Sequence, residues 1–228
     1  MESEQYKLFT STGSDNIELA KISIAAFKPN ALFYLTHGGD ISSDIKIFHR
    51  KDMIEFYEGE KVETIKVVAD HLPDKPIVAF AIYFYGPEPP NRGLKAPEEA
   101  DFKFKDEVKK QTQEHKQFYR ENKDIKVHLM CVSPQYQRKG IGSMLVNYIQ
   151  ARAIDLKKRV FLQATPAGAS LYLKHEFELL AEAKVDQSRF GGEGTYVQST
   201  MRWDASNKVG VAMTGFEAGR PNVVLLDE

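Results

Sequence analysis

The residues best suited to do chemistry fall in one stretch, Gln137-Arg138-Lys139-Gly140-Ile141-Gly142-Ser143. Two glycines one residue apart let the backbone approach a ligand and turn its N–H groups outward. An apolar periodicity starts here, at Ile141, Met144, Leu145, Tyr148 and Ile149, which predicts a helix with one buried face. The first N–H groups of a helix lack internal partners, and the positive end of its dipole lies beside them. The spacing therefore predicts an anion site, with Arg138 and Lys139 adding charge. No third glycine follows as a dinucleotide fingerprint requires, and no Gly-Lys-Ser/Thr follows as a P-loop requires.

The site must be positioned by the elements around it. Upstream, Val127 to Val132 is an apolar run interrupted by His128 and reads as a buried strand. Ser133-Pro134 stops it, because proline cannot extend a ladder and restricts the residue before it. Downstream, Val160 to Ala164 reads as a second short strand. Pro166 and Gly168 punctuate the entry to a helix over about Ala167 to His175, which carries Tyr172.

The order strand, Gln-x-x-Gly-x-Gly, helix resembles motif A of the GNAT superfamily of N-acetyltransferases. Leu171-Tyr172-Leu173-Lys174-His175-Glu176-Phe177 resembles that family's Leu-Tyr-x-Lys-x-Gly-Phe. The resemblance spans about Ile77 to Trp203. It implies that Gln137, Arg138, Lys139, Gly140, Ile141, Gly142 and Ser143 hold the pyrophosphate of acetyl-CoA. It also implies that Met130, Cys131 and Val132 run beside the pantetheine arm, the N–H of Met130 facing the thioester oxygen. By the same resemblance Tyr172 contacts the coenzyme and protonates its departing thiolate. His128 is the candidate general base. A histidine stands at the same offset in the aralkylamine acetyltransferases of the superfamily, and a period of two puts His128 on one face with Met130 and Val132. Glu63 is a weaker candidate base. Two positions depart from the pattern: Glu176 replaces the usual glycine, and Thr165 stands where many members carry an asparagine that touches the coenzyme.

Composition narrows the class. In 228 residues, 42% are apolar, enough for a sizeable core. The 31 Lys and Arg balance 32 Asp and Glu, which removes any global argument for nucleic acid or an anionic membrane. The single cysteine, Cys131, allows no internal disulfide and reads as an inert buried thiol. No apolar run is long enough to span a bilayer, and Met1 to Phe9 lacks signal-peptide architecture. A cytoplasmic protein is expected, without a metal.

Along the chain, Tyr6 to Phe9 reads as a strand, followed by a helix through Ile17, Ala20, Ile24 and Phe27. Ser14 and Asp15 are its N-cap candidates. Asp44 to Tyr57 reads as a second helix. Val62 to Asp70 and Ile77 to Tyr85 form an antiparallel hairpin. After a Pro/Gly-rich loop, Gly86 to Pro97, a charged surface helix is expected over Glu98 to Asn122, and this insertion is expected to shape the acceptor pocket. Leu179 to Asp186 and Thr195 to Trp203 read as the last strands.

The expected architecture is α/β. A mixed, mostly antiparallel sheet of six to seven strands splays between two parallel central strands, with helices on both faces. One domain spans 1–228, with a helical insertion at about 87–124 and a C-terminal extension at about 204–228. The tail packs on the domain, exchanges with a second subunit in a homodimer, or is mobile. The function expected from the resemblance is acetyl transfer from acetyl-CoA to a small-molecule amine. The alternatives are a non-catalytic acyl-CoA-binding module and a protein N-terminal or lysine acetyltransferase. A nucleotide-phosphate binder of another fold is a further reading.

Overall fold

A computed structural model describes residues 5–37, 61–86, 101–120 and 123–208. The expected helix over Asp44 to Tyr57, most of the Gly86–Pro97 loop and the tail after 208 lie outside the described residues.

The centre of the molecule is β3 (Ile77–Phe84), an apolar strand whose last seven residues are all buried. A run of that kind needs cover on both faces. The sheet has seven strands in the order β1-β2-β3-β4-β5-β7-β6. The others are β1 (Tyr6–Thr10), β2 (Val62–Ala69), β4 (Asp124–Val132), β5 (Arg159–Ala164), β6 (Glu178–Asp186) and β7 (Thr195–Trp203). Every neighbouring pair is antiparallel except β4 and β5, which are parallel. The topology is the splayed mixed sheet expected from the sequence.

The two faces follow from the period of two in β3. Ala79, Ala81 and Tyr83 pack with Leu145 and Ile149 of α4 (Ile141–Asp155), and Tyr172 of α5 (Pro166–Lys174) belongs to the same cluster. Phe80 and Ile82 turn the other way, onto Leu19, Ala20 and Ile22 of α1 (Asn16–Phe27). A third cluster covers β6 and β7 on that second side. There Phe104 and Val108 of α3 (Lys103–Gln111) meet Val185, Tyr196 and residues of α2 (Ala31–His37).

Three expectations need correction. The charged segment is not one helix over Glu98 to Asn122. Its described part is α3 followed by a short 3-10 turn, Glu114–Phe118. Nor is it a surface helix only, since Phe104 is 1% exposed and anchors it in the core. Finally, Asp15 makes no side-chain cap to α1. Its carboxylate instead meets Lys66 at 2.7 Å.

The parallel pair is short. Only Asp124 to Val127 register with Arg159 to Leu162. Asp124, fully buried, anchors that end through Arg159 at 2.6 Å and the N–H of Arg120 at 2.6 Å. Past Val127 the two strands have no shared register, and a slot opens between them.

Candidate active site

The slot is the inner end of a cleft of about 1060 Å³. Its β4 wall carries Met130, Cys131 and Val132. The N–H of Ser133 donates to Val78 O in β3 at 2.8 Å. Backbone groups alternate edges along a strand, so those of Cys131 also face β3, and those of Met130 and Val132 face the open slot. The side chain of Gln137 turns back there and donates to Val132 O at 3.2 Å.

At the mouth of the slot α4 begins. Gly140 is its N-cap, at φ +81, and Arg138 before it also has a positive φ of 62. The first bond of the helix ladder runs from the N–H of Met144 to Gly140 O at 3.0 Å. The N–H groups of Ile141, Gly142 and Ser143 therefore precede the ladder at the positive end of the dipole. The two glycines answer different needs. A Cβ on Gly140 would meet nothing within 4 Å, so its requirement is the left-handed backbone. A Cβ on Gly142 would stand 3.0 Å from Leu171 Cδ2, so its requirement is room against α5.

Opposite β4, α5 starts from Thr165, whose side chain makes no capping bond, with Pro166 in the first turn. Tyr172 is 8% exposed and its hydroxyl reaches Met130 Sδ at 3.9 Å. Burial pushes its pKa up, and the neighbouring Cys131 adds to the shift, so the hydroxyl keeps its proton. Glu176 has φ +65, which explains why a glycine suits this position.

Among the residues singled out by sequence, Met130, Cys131, Val132, Gln137, Arg138, Gly140, Gly142, Ser143 and Thr165 line the cleft together. Ile141, Lys139 and Tyr172 do not. Ile141 is buried in the core, and Lys139 lies 5.3 Å from the Tyr136 ring centroid. His128 is not on the cleft wall either. Ile82 pairs with Leu129 but its neighbour Tyr83 pairs with Val127, so His128 is the extra residue of a β-bulge. Val127 clusters on the α4 side with Met130 and Val132, while Leu129 and Cys131 cluster with α1. Alternation is broken at His128, and a period of two no longer assigns its face. Glu63 lies away from the cleft. It pairs with Arg152 at 2.6 Å and accepts from the Tyr83 hydroxyl, which fixes it as a structural carboxylate.

The far wall of the cleft is made by Ala26, Phe27, Pro29, Asn30 and Ala31 with Gln187, Thr195 and Tyr196; the family resemblance implies a wall from the opening helices and closure by the region of the last two strands, but the sequence singled out none of these residues. No residue of α3 lines the cleft, so this helix does not shape it by direct contact. The Lys28-Pro29-Asn30 break was visible in the sequence, but nothing local ties it to a strand that lies more than 150 residues later.

Comparison with known proteins agrees with this geometry. Residues 105–179, about a third of the chain, match a family model described as an acetyltransferase (GNAT) domain. No curated protein matches the sequence. Among solved structures, the C-terminal condensation domain of Ebony in complex with β-alanyl-dopamine is 13% identical. It aligns over 86% of this chain and 97% of its own, at a TM-score of 0.64. A Corynebacterium glutamicum protein described as histone acetyltransferase HPA2 and related acetyltransferase is 18% identical. It aligns over 88% and 96% at a TM-score of 0.59. The yncA acetyltransferase of Salmonella typhimurium, solved with acetyl-CoA, is 11% identical and aligns over 88% and 94% at 0.50. The chain therefore has the GNAT fold, and its central segment matches the GNAT acetyltransferase family model. Acetyl transfer is the class of chemistry these likenesses support, and a nucleotide-phosphate binder of another fold is ruled out by the topology.

Proposed function

We propose that the protein is an N-acetyltransferase that moves an acetyl group from acetyl-CoA to a small amine, within one domain that carries an insertion and a C-terminal extension. The observation that carries this reading is the slot between β4 and β5, which ends at the free N–H groups of Ile141, Gly142 and Ser143 and has the Tyr172 hydroxyl beside it.

In this reading the pyrophosphate rests on those N–H groups, with Arg138 beside them. The amides of the pantetheine arm pair with Met130 and Val132 as an added strand would. Among the described residues no His, Cys, Asp and Glu cluster could hold a metal, and no helix is long and apolar enough to cross a membrane. The Met130 N–H stabilises the oxygen of the tetrahedral intermediate, a contribution of about 3 kcal/mol for one such donor. The amine nitrogen adds to the thioester carbon to give that intermediate, with the new C–N bond formed and the C–S bond intact, and the C–S bond breaks as the intermediate collapses. Tyr172 gives its proton to the sulfur, exchanging the weak Met130 Sδ acceptor for a thiolate. His128, away from the cleft wall, takes up the amine proton through water.

The far wall supports an acceptor with an apolar or aromatic body, since Phe27, Pro29 and Tyr196 line it beside Asn30, Gln187 and Thr195. The likeness in fold to a domain solved with β-alanyl-dopamine suggests arylalkylamines as the first amines to try. The test is calorimetry with acetyl-CoA, then thiol release with arylalkylamines, polyamines and peptides. Binding with release for a small amine is the expected result. Binding without release for any amine favours a non-catalytic module, and no heat at all overturns the reading.

A further inference from the structure

A second cavity, of about 250 Å³, lies apart from the cleft, between the start of α3, Leu35 of α2 and the 3-10 turn Gln187–Phe190. Its floor is apolar. Phe104, 1% exposed, meets the Phe190 ring edge-on with centroids 5.3 Å apart, and Leu35 lines the side. Its rim is charged. Asp101 and Lys103 neutralise each other there, the Asp101 carboxylate accepting from the N–H of Lys103 at 2.9 Å and from its Nζ at 3.3 Å. That leaves Arg189 as the uncompensated charge. Asp186, three residues earlier, holds the N–H of Ser188 at 3.0 Å, and among the described residues Arg189 has no ion pair. Its guanidinium lies over the Phe190 ring, 5.5 Å from the centroid. An arginine held by one face keeps its edge donors, in the fork geometry that matches a carboxylate.

We infer that this cavity is a second binding site, for a small carboxylate with an apolar body. Its volume is roughly eight waters' share of liquid, which sets the ligand at about ten heavy atoms. Each half of such a ligand answers one half of the site. A neutral molecule of the same shape leaves Arg189 without a partner, and an acid with no apolar body leaves Phe104 and Phe190 uncovered. The site stands without the acetyltransferase reading, whereas its bearing on the amine rests on that reading. The turn has two sides. Arg189 and Phe190 line this cavity, while Gln187 lines the cleft with Thr195. The N–H of Gln187 donates to Gly194 O at 2.9 Å and that of Gly192 to Gln187 O at 3.0 Å, so the turn moves as one piece. A ligand that fixes the cavity side orders the cleft side with it, and an amine then meets a wall already in place.

The probe is phenylacetate, titrated into the full chain without acetyl-CoA. Methyl NMR reads the two sites separately, Leu35 for the cavity and Met130 for the cleft. Saturable shifts at Leu35 with a Kd of about 1 mM or below are expected, and 2-phenylethanol and acetate should each bind about tenfold more weakly. Shifts at Met130 alone, or at neither methyl, overturn the site. Arg189 is exposed, so Arg189→Gln leaves the fold intact. It should weaken phenylacetate about tenfold, the scale of one charge-assisted bond, and leave 2-phenylethanol unchanged. A change in phenylacetate affinity under about twofold overturns the carboxylate assignment. In thiol release with the best amine from the panel, saturating phenylacetate should lower KM for the amine about threefold in the wild type and not in Arg189→Gln. An unchanged or raised KM overturns the link to the cleft. A protein that shows the Leu35 shifts but binds no acetyl-CoA loses the acetyltransferase reading and keeps the site.

Discussion

Tyr172 and His175 are four residues' span of one helix end, yet they respond to different tests. Tyr172→Phe removes a proton donor and little volume. We expect kcat to fall about 100-fold with acetyl-CoA affinity unchanged, measured by thiol release and calorimetry. Equal losses in both would assign Tyr172 to packing. His175 has a lowered pKa, through burial first and then the charge of Lys174, opposed by Glu176. Its folded form therefore stays neutral below 6.5, where the unfolded ring takes up a proton. Stability from this group is present above pH 6.5 and is lost as pH falls below it. In His175→Gln that slope should vanish, so urea midpoints between pH 7 and 5 should decline less than in the parent. The same scale shows what was legible. The glycines at 140 and 142 announce a backbone site, but identical letters hide a conformational need at one and a packing need at the other. The bulge at His128 was not legible, because side-chain alternation reads the same until a strand partner reveals the extra residue.

At the scale of elements, the strands were the clearest part. Apolar runs bounded by proline and glycine put every strand end within a few residues of its place, because ladder ends and turn residues coincide. The charged stretch was read least well. Lysines and glutamates dominate it, and an apolar stripe read through Val108, Phe118 and Tyr119 passes over Phe104. Yet Phe104 anchors α3, and Gln111 of the same helix accepts from the N–H of Lys184 on β6 at 3.1 Å. Phe104→Ala should cost about 3–5 kcal/mol in urea unfolding, the scale of an emptied aromatic site in a core. A loss below 1 kcal/mol would mean that α3 is an appendage. The junction at Asn30 illustrates the other kind of blindness. Its turn was readable, but its place on the cleft wall beside Tyr196 of β7 is a tertiary fact.

For the whole molecule, a ligand that bridges β4, α4 and α5 ties three core elements together. Acetyl-CoA at 100 times its Kd should stabilise the fold by about 2.7 kcal/mol. For a chain of this size that is a rise of roughly 5–10 °C in Tm, read by thermal denaturation. An unchanged Tm at that excess would contradict binding to the native state. The short register of β4 with β5 has a further consequence for timing. The β4–β5 register ends at Val127, and in the proposed reading the donor's arm is the piece that completes the sheet. Until that piece is in, one side of the amine's berth is water. Catalysis should then run in a fixed sequence, donor on first and free CoA off last, with CoA competing against acetyl-CoA rather than against the amine.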